Sequence, residues 1–140
     1  MSSAFIKINK FVLNLAQKVF NLGSDTLKVV LTDTAVTVST ANQLSDVTQV
    51  ANGNGYTTGG TQAAITSSTQ TSGTYKLVLA NVTFTATGAV GPFRYAYLYD
   101  DTSTNDELIG GWDYGSSISL ANGDTFTVAF DGTNGVLQIA

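Results

Sequence analysis

The chain has 140 residues, no cysteine, no histidine, and six basic against ten acidic side chains, for a formal charge of −4 at pH 7. Such a length buries a sizeable core unaided, while the missing cysteines exclude a disulfide framework or thiolate metal site and the missing histidines remove the commonest general base and transition-metal ligand. Net acidity with so few cations leaves no clustered Lys and Arg for phosphate contacts, so no nucleic-acid partner is expected.

Residues 4–22 carry an apolar stripe at helical spacing. Phe5, Ile8, Val12, Leu15, Val19 and Leu22 recur at alternating steps of three and four, one continuous seam on a helix. Ser2 or Ser3 offers a cap at its start, and Gly23 stands where a left-handed glycine would end it. Phe11 and Phe20 fall off the seam and widen the apolar face. The expectation is an amphipathic helical arm over residues 1–23, joined to a separate body over residues 24–140. The arm either covers an open face of its own body or docks on another subunit.

From Thr26 the period changes to two. Residues 26–32 and 35–39 read as strands, whereas 43–50 has mixed signals, with Leu44, Val47 and Val50 at helical spacing. Asn52-Gly53-Asn54-Gly55 and Gly59-Gly60 are turns, since Asn and Gly adopt positive φ at little cost. Residues 62–68 and 74–79 flank the polar segment 69–73 as a hairpin. In 82–86 Val82, Phe84 and Ala86 face one side and the threonines the other.

After a loop over 88–92, residues 93–99 form the strongest strand of the chain. Strict alternation would put Phe93, Tyr95, Tyr97 and Tyr99 on one face and Arg94, Ala96 and Leu98 on the other. Asp100 to Asp106 is a polar loop, and further strands follow at 108–114, 117–120, 125–130 and 136–139. Many short strands with turn signals every 8–12 residues are the pattern of a β-sandwich or jelly roll.

Few side chains carry chemistry. Asp100, Asp101, Asp106 and Glu107 form one acidic cluster, either a solvated loop with local side-chain turns or a hard-oxygen Ca²⁺ module or acid–base pair. Tyr95, Tyr97, Tyr99 and Trp112 form either core or an exposed platform for sugar or protein. Arg94, the one arginine, is expected to pair with Asp113. The glycine clusters lack the lysine and helix of a phosphate-binding loop. No nucleophile elbow is present, and a serine would need an unusual lysine base. The chain is therefore read as a non-enzyme without cofactor or metal. No apolar run approaches the roughly 20 residues of a membrane span. The stretch 11–15 is too short and too polar-flanked for a signal peptide, so no membrane partner is expected.

The order of segments resembles a group of small virion-associated proteins of tailed bacteriophages. The likeness runs through Asn9-Lys10-Phe11-Val12, Asn21-Leu22-Gly23-Ser24-Asp25-Thr26-Leu27-Lys28-Val29, Asn52-Gly53-Asn54-Gly55-Tyr56-Thr57, and Thr71-Ser72-Gly73-Thr74-Tyr75-Lys76. It continues in Gly91-Pro92-Phe93-Arg94-Tyr95-Ala96, Trp112-Asp113-Tyr114-Gly115-Ser116-Ser117 and the stretch from Asp124-Thr125-Phe126-Thr127 to Asn134-Gly135-Val136-Leu137. The resemblance implies a virion structural protein made in the host cytoplasm, most simply a capsid decoration or cement protein. Its partners would be the major capsid protein or other virion proteins, and it would work as a homo-oligomer. Phe5, Ile8, Val12 and Leu15 are the expected partner-binding residues. The alternative is a tail or fibre component that touches glycans.

Overall fold

One inner strand meets an unusual demand, burial on both sides, and four of its six residues are apolar. In the computed structural model, which describes residues 3–140, this strand is β2 (Leu27–Thr32). Leu27, Val29 and Leu31 enter one core and Val30 another on the opposite face. It pairs antiparallel with β7 (Val90–Asp100), from Leu27 against Asp100 to Thr32 against Tyr95. β7 pairs in turn with β8 (Leu108–Leu120). Two short edge strands, β1 (Ile6–Lys7) beside β8 and β3 (Thr61–Gln62) beside β2, complete a five-stranded sheet in the order β1-β8-β7-β2-β3.

A second layer closes the inner face. It holds the hairpin β4 (Ile65–Thr71) and β5 (Thr74–Leu79) with β10 (Leu137–Ile139) beside β5, and the pair β6 (Val82–Thr85) and β9 (Thr125–Val128). Leu77, Leu79, Val82 and Phe84 from this layer meet Leu27, Val29, Leu31, Phe93, Leu98 and Ile109 in one core. The fold is mainly β, a β-sandwich-like domain with one short helix near the N-terminus. The β4–β5 strands run further than their polar residues suggest. They meet at a two-residue turn, Ser72-Gly73, where both φ angles are positive at 52° and 83°, the geometry that matches the strand twist in tight hairpins.

The outer face of the large sheet is covered by residues 33–50. The strand expected at 35–39 does not form, because β2 already has β7 and β3 on its two edges. That segment instead lays Val36, Val38, Ala41, Leu44 and Val47 over Val30, Tyr97, Tyr99 and Leu108. A single 3-10 turn at Leu44–Asp46 is the regular part of it.

The continuous helix expected over residues 4–22 is replaced by a strand, a short helix and an extended return. β1 pairs with Gly110 and Gly111 of β8, and helix α1 spans only Lys10–Ala16. Its C-terminus is a Schellman motif: Lys18 N–H donates to Leu15 O (3.3 Å), Val19 N–H to Asn14 O (2.9 Å), and Lys18 takes the left-handed position at φ 66°. Gly23 therefore ends no helix. Ser2 lies outside the described residues, and Ser3 donates its hydroxyl to Asp113 O (2.6 Å) rather than capping α1. The stripe breaks because its residues serve two cores at a sheet edge. Ile8 enters the outer core, and Phe11, Phe20 and Leu22 enter the inner one.

The packing of these four side chains has a direct test. Ile8 is 0% exposed whereas Val12 is 53% exposed. Ile8→Ala should cost about 2–5 kcal/mol and lower Tm by roughly 5–15 °C in a thermal melt. Val12→Asp should leave Tm within about 2 °C. Deletion of residues 1–22 should abolish the cooperative melt, since it removes all four buried side chains at once.

Candidate functional site

The four residues expected to bind a partner separate into different roles. Ile8 lies wholly inside, its N–H donating to Ile109 O at 3.2 Å. Phe5 packs on the inner core with its ring against Trp112, centroids 5.5 Å apart. A Cβ on Gly110 would run into that ring, so Gly110 is what admits Phe5 to the strand surface. Leu15 is half-buried against the inner core. Val12 alone of the four projects to solvent, and it is joined by Leu13, 50% exposed. The seam at three-and-four spacing could not reveal Leu13, because that reading places it off the apolar face.

The four aromatics do not share a face. Tyr97 and Tyr99 are 2% and 1% exposed in the outer core, and Tyr95 stacks on Tyr97 at 6.2 Å. Their hydroxyls fasten loops to the sheet: Tyr97 accepts from Val36 N–H (3.1 Å) and Tyr99 donates to Gly59 O (2.6 Å). Trp112, opposite Ala96 in the ladder, faces the inner side. Phe93 joins that inner side too, because register shifts between Phe93 and Tyr95 reverse the alternation. Of the two readings, core therefore holds for Tyr97 and Tyr99 on one face, while Trp112 joins a different aromatic group on the other.

That second group borders a cleft of about 540 Å³ between the large sheet and β9. Trp112 lies between Phe5 and Phe130, at 5.5 and 5.4 Å, while Tyr114 meets Phe126 edge-on at 5.6 Å. Arg94 also lines the cleft. As expected, it pairs with Asp113, Nε to Oδ1 at 2.8 Å and Nη2 to Oδ2 at 3.0 Å, a bidentate geometry. Hydrogen bonding to Asp113 raises the pKa of Arg94, and that pairing holds the Asp113 carboxyl below its ordinary range.

The acidic cluster is not a uniformly solvated loop. Asp100 is 0% and Glu107 5% exposed. Local turns do form: Asp100 Oδ1 accepts from Thr102 N–H (2.8 Å) and Ser103 N–H (3.1 Å), and Asn105 donates twice to the Glu107 carboxylate. Burial raises the pKa of Glu107, but bonds from Ser103 and Asn105 outweigh it and hold the group below its ordinary value. Asp101 pairs instead with Lys28 at 3.1 Å. Among the described residues no three acidic side chains converge as metal ligands.

Asp100 is the exceptional member. Its Oδ2 is buried without a hydrogen-bond partner, and Asp25 stands close enough to favour its protonated form. Burial first, and Asp25 second, push its pKa up to about 7 from the ordinary 3.8. A carboxyl whose pKa is higher folded than unfolded stabilises most below the unfolded value, and that stability is lost as pH rises through the folded value. Stability should therefore fall between about pH 4 and pH 7 and level off above. Asp100→Asn keeps the shape and removes the titration. Thermal melts from pH 4 to pH 8 should show the variant more stable than the parent at pH 8, with the difference vanishing toward pH 4.

No protein-family model, curated protein or solved structure matches the chain, so any reading of its function rests on its own residues.

Proposed function

We propose that the chain is a virion structural protein, a decoration protein that binds an assembled phage capsid and stabilises it, working as an oligomer on the shell surface. The observation that carries this reading is the Val12–Leu13 pair. Two adjacent aliphatic side chains stand about half exposed on α1, and they are fixed there by Phe11 buried beneath the helix and by Ile8 just before it. The rest of the exposed surface is rich in Thr, Ser, Asn and Gly and poor in charge, so it loses little hydration when covered. The virion assignment itself is supported by the resemblance of the sequence segments to small virion-associated proteins.

The mechanism is thermodynamic. A protein that binds the closed shell and not its dissociated subunits stabilises the shell by mass action, by about 2.7 kcal/mol per site when free ligand stands at 100 times Kd. The apolar pair supplies a small contact per copy, and repetition across the shell multiplies it. The major capsid protein is the partner, and Val12 and Leu13 are the contact residues, with Phe5, Ile8 and Leu15 holding the segment in place.

Quantitative mass spectrometry of purified particles tests the assignment. A ratio to the major capsid protein near one, or a simple fraction of one, is expected. A handful of copies would move the protein to the tail or a fibre, and absence would overturn the virion reading. Within the shell reading, the double substitution Val12→Asp, Leu13→Asp should abolish co-sedimentation with assembled shells while leaving the thermal melt of the free protein unchanged.

A further inference from the structure

The aromatic cleft takes no part in the contact just described, and its make-up is specific. We propose that it binds a saccharide of one or two rings. Its volume, about 540 Å³, falls in the range of small-molecule sites, roughly 300–1,000 Å³. Every residue from Phe126 to Asp131 lines it. Phe126, Thr127 and Val128 belong to β9, and because side chains of an extended strand alternate between faces, three consecutive lining residues put the strand's backbone at the cleft wall.

Among the described residues β9 pairs with β6 alone, which leaves the N–H and C=O groups on its other edge without a strand partner. Such an edge offers donors and acceptors in alternation. A hydroxyl both donates and accepts, so a polyhydroxylated ring can use the two kinds at once.

The opposite wall is aromatic. Trp112 meets its two ring neighbours at 55° and 59°, and Tyr114 meets Phe126 at 79°. Tyr114 is 40% exposed, so its ring is accessible from solvent. An aromatic face carries partial negative charge, and the C–H face of a pyranose is weakly positive and apolar.

Arg94 completes the set. Asp113 engages its Nε and one Nη2 hydrogen, so other guanidinium donors remain for a sugar hydroxyl, while the pair as a whole is near neutral. One already-neutralised cation and no helix N-terminus argue against a phosphorylated ligand. A purely apolar ligand would leave the free guanidinium donors of Arg94 and the strand edge unsatisfied. The second depression, beside Lys18, Leu22 and Ile139, has a tyrosine hydroxyl already bonded to Ser68 and no comparable ring wall.

This inference stands apart from the shell assignment, and Trp112 makes it directly measurable, as the one tryptophan of the chain. The intact protein would be titrated with glucose, galactose, mannose and N-acetylglucosamine, and with disaccharides of each, following intrinsic fluorescence. A saturable change in Trp112 emission with at least one sugar is expected. Tyr114→Ala should weaken that binding about tenfold at unchanged Tm, and Tyr114→Phe, which keeps the ring, should retain it. Val12→Asp should have no effect on it. No saturable response to any of these sugars would overturn the proposal, as would a response of equal affinity in Tyr114→Ala. So would concentration-dependent self-association that Tyr114→Ala abolishes, which would give the cleft to a second copy of the chain.

Discussion

Everything in this domain depends on a sheet whose middle strands are buried on both faces. β2 and β7 carry apolar side chains up and down, so the sheet needs two covers, not one. The inner cover is the second layer of the sandwich. The outer cover is irregular, built from residues 33–50 and from Ile8, and its backbone is satisfied piecemeal: Val36 N–H by the Tyr97 hydroxyl, Val38 O by Asn9 N–H, Leu44 N–H by Asp106 O and Val50 N–H by Leu31 O. Tyr56 shows the same device on the inner side: its hydroxyl accepts from Leu31 N–H at 3.3 Å and donates to Gln49 at 2.8 Å. Burial pushes that phenol up to about 12, so it stays a neutral donor at any physiological pH. Loops normally run over the surface because buried backbone must find partners. Here neighbouring backbone supplies most of those partners, and tyrosine hydroxyls supply the ones at Val36 and Gly59.

The glycines of β8 follow from the same constraint. Gly110 and Gly111 sit in mid-strand, where glycine is ordinarily a weakness. A Cβ at Gly110 would strike Phe5, and one at Gly111 would strike Tyr97 and the Ala96 carbonyl. Two rings thus lie directly on the strand backbone, one on each face. This is how the edge strand β1 and the outer core come within reach of the same two residues.

Strands were legible wherever a single face was buried. Val82 and Phe84 alternate with threonines as expected, and the exposed–buried pattern of β6 follows. The strongest strand was also found, but its faces were not, since a register shift that sends Phe93 inward leaves no trace in an alternating string. The N-terminal stripe misleads for another reason. Spacings of three and four fit one helical face, yet they equally serve a chain that dips into a core, crosses a sheet edge and dips again. Helix formation also has a costly nucleus, and seven residues with a Schellman stop need tertiary packing to persist. Arg94–Asp113 could be anticipated because a lone arginine in mid-strand has few alternatives. The burial of Asp100 could not, since nothing in a run of polar residues says which carboxyl the β2–β7 ladder will enclose. The cleft was invisible in sequence because its walls come from β7, β8, β9 and the N-terminal segment.

The order of strands in the large sheet also fixes how the chain can acquire its shape. Val29 lies beside Leu98 and Lys28 beside Tyr99, partners separated by about 70 residues of chain, and closing such a loop is what makes non-local β topologies slow to fold. As the polypeptide leaves the ribosome, β2 has only the two residues of β3 to pair with along its edge until β7 has been synthesised. The cover at 33–50 has early anchors on β2, where Leu31 O accepts from Val50 N–H and the Thr32 hydroxyl donates to Thr48 O, but its tie to Tyr97 waits for β7. Closure of the outer core against Tyr97, Tyr99 and Leu108 therefore follows the synthesis of β7 and β8.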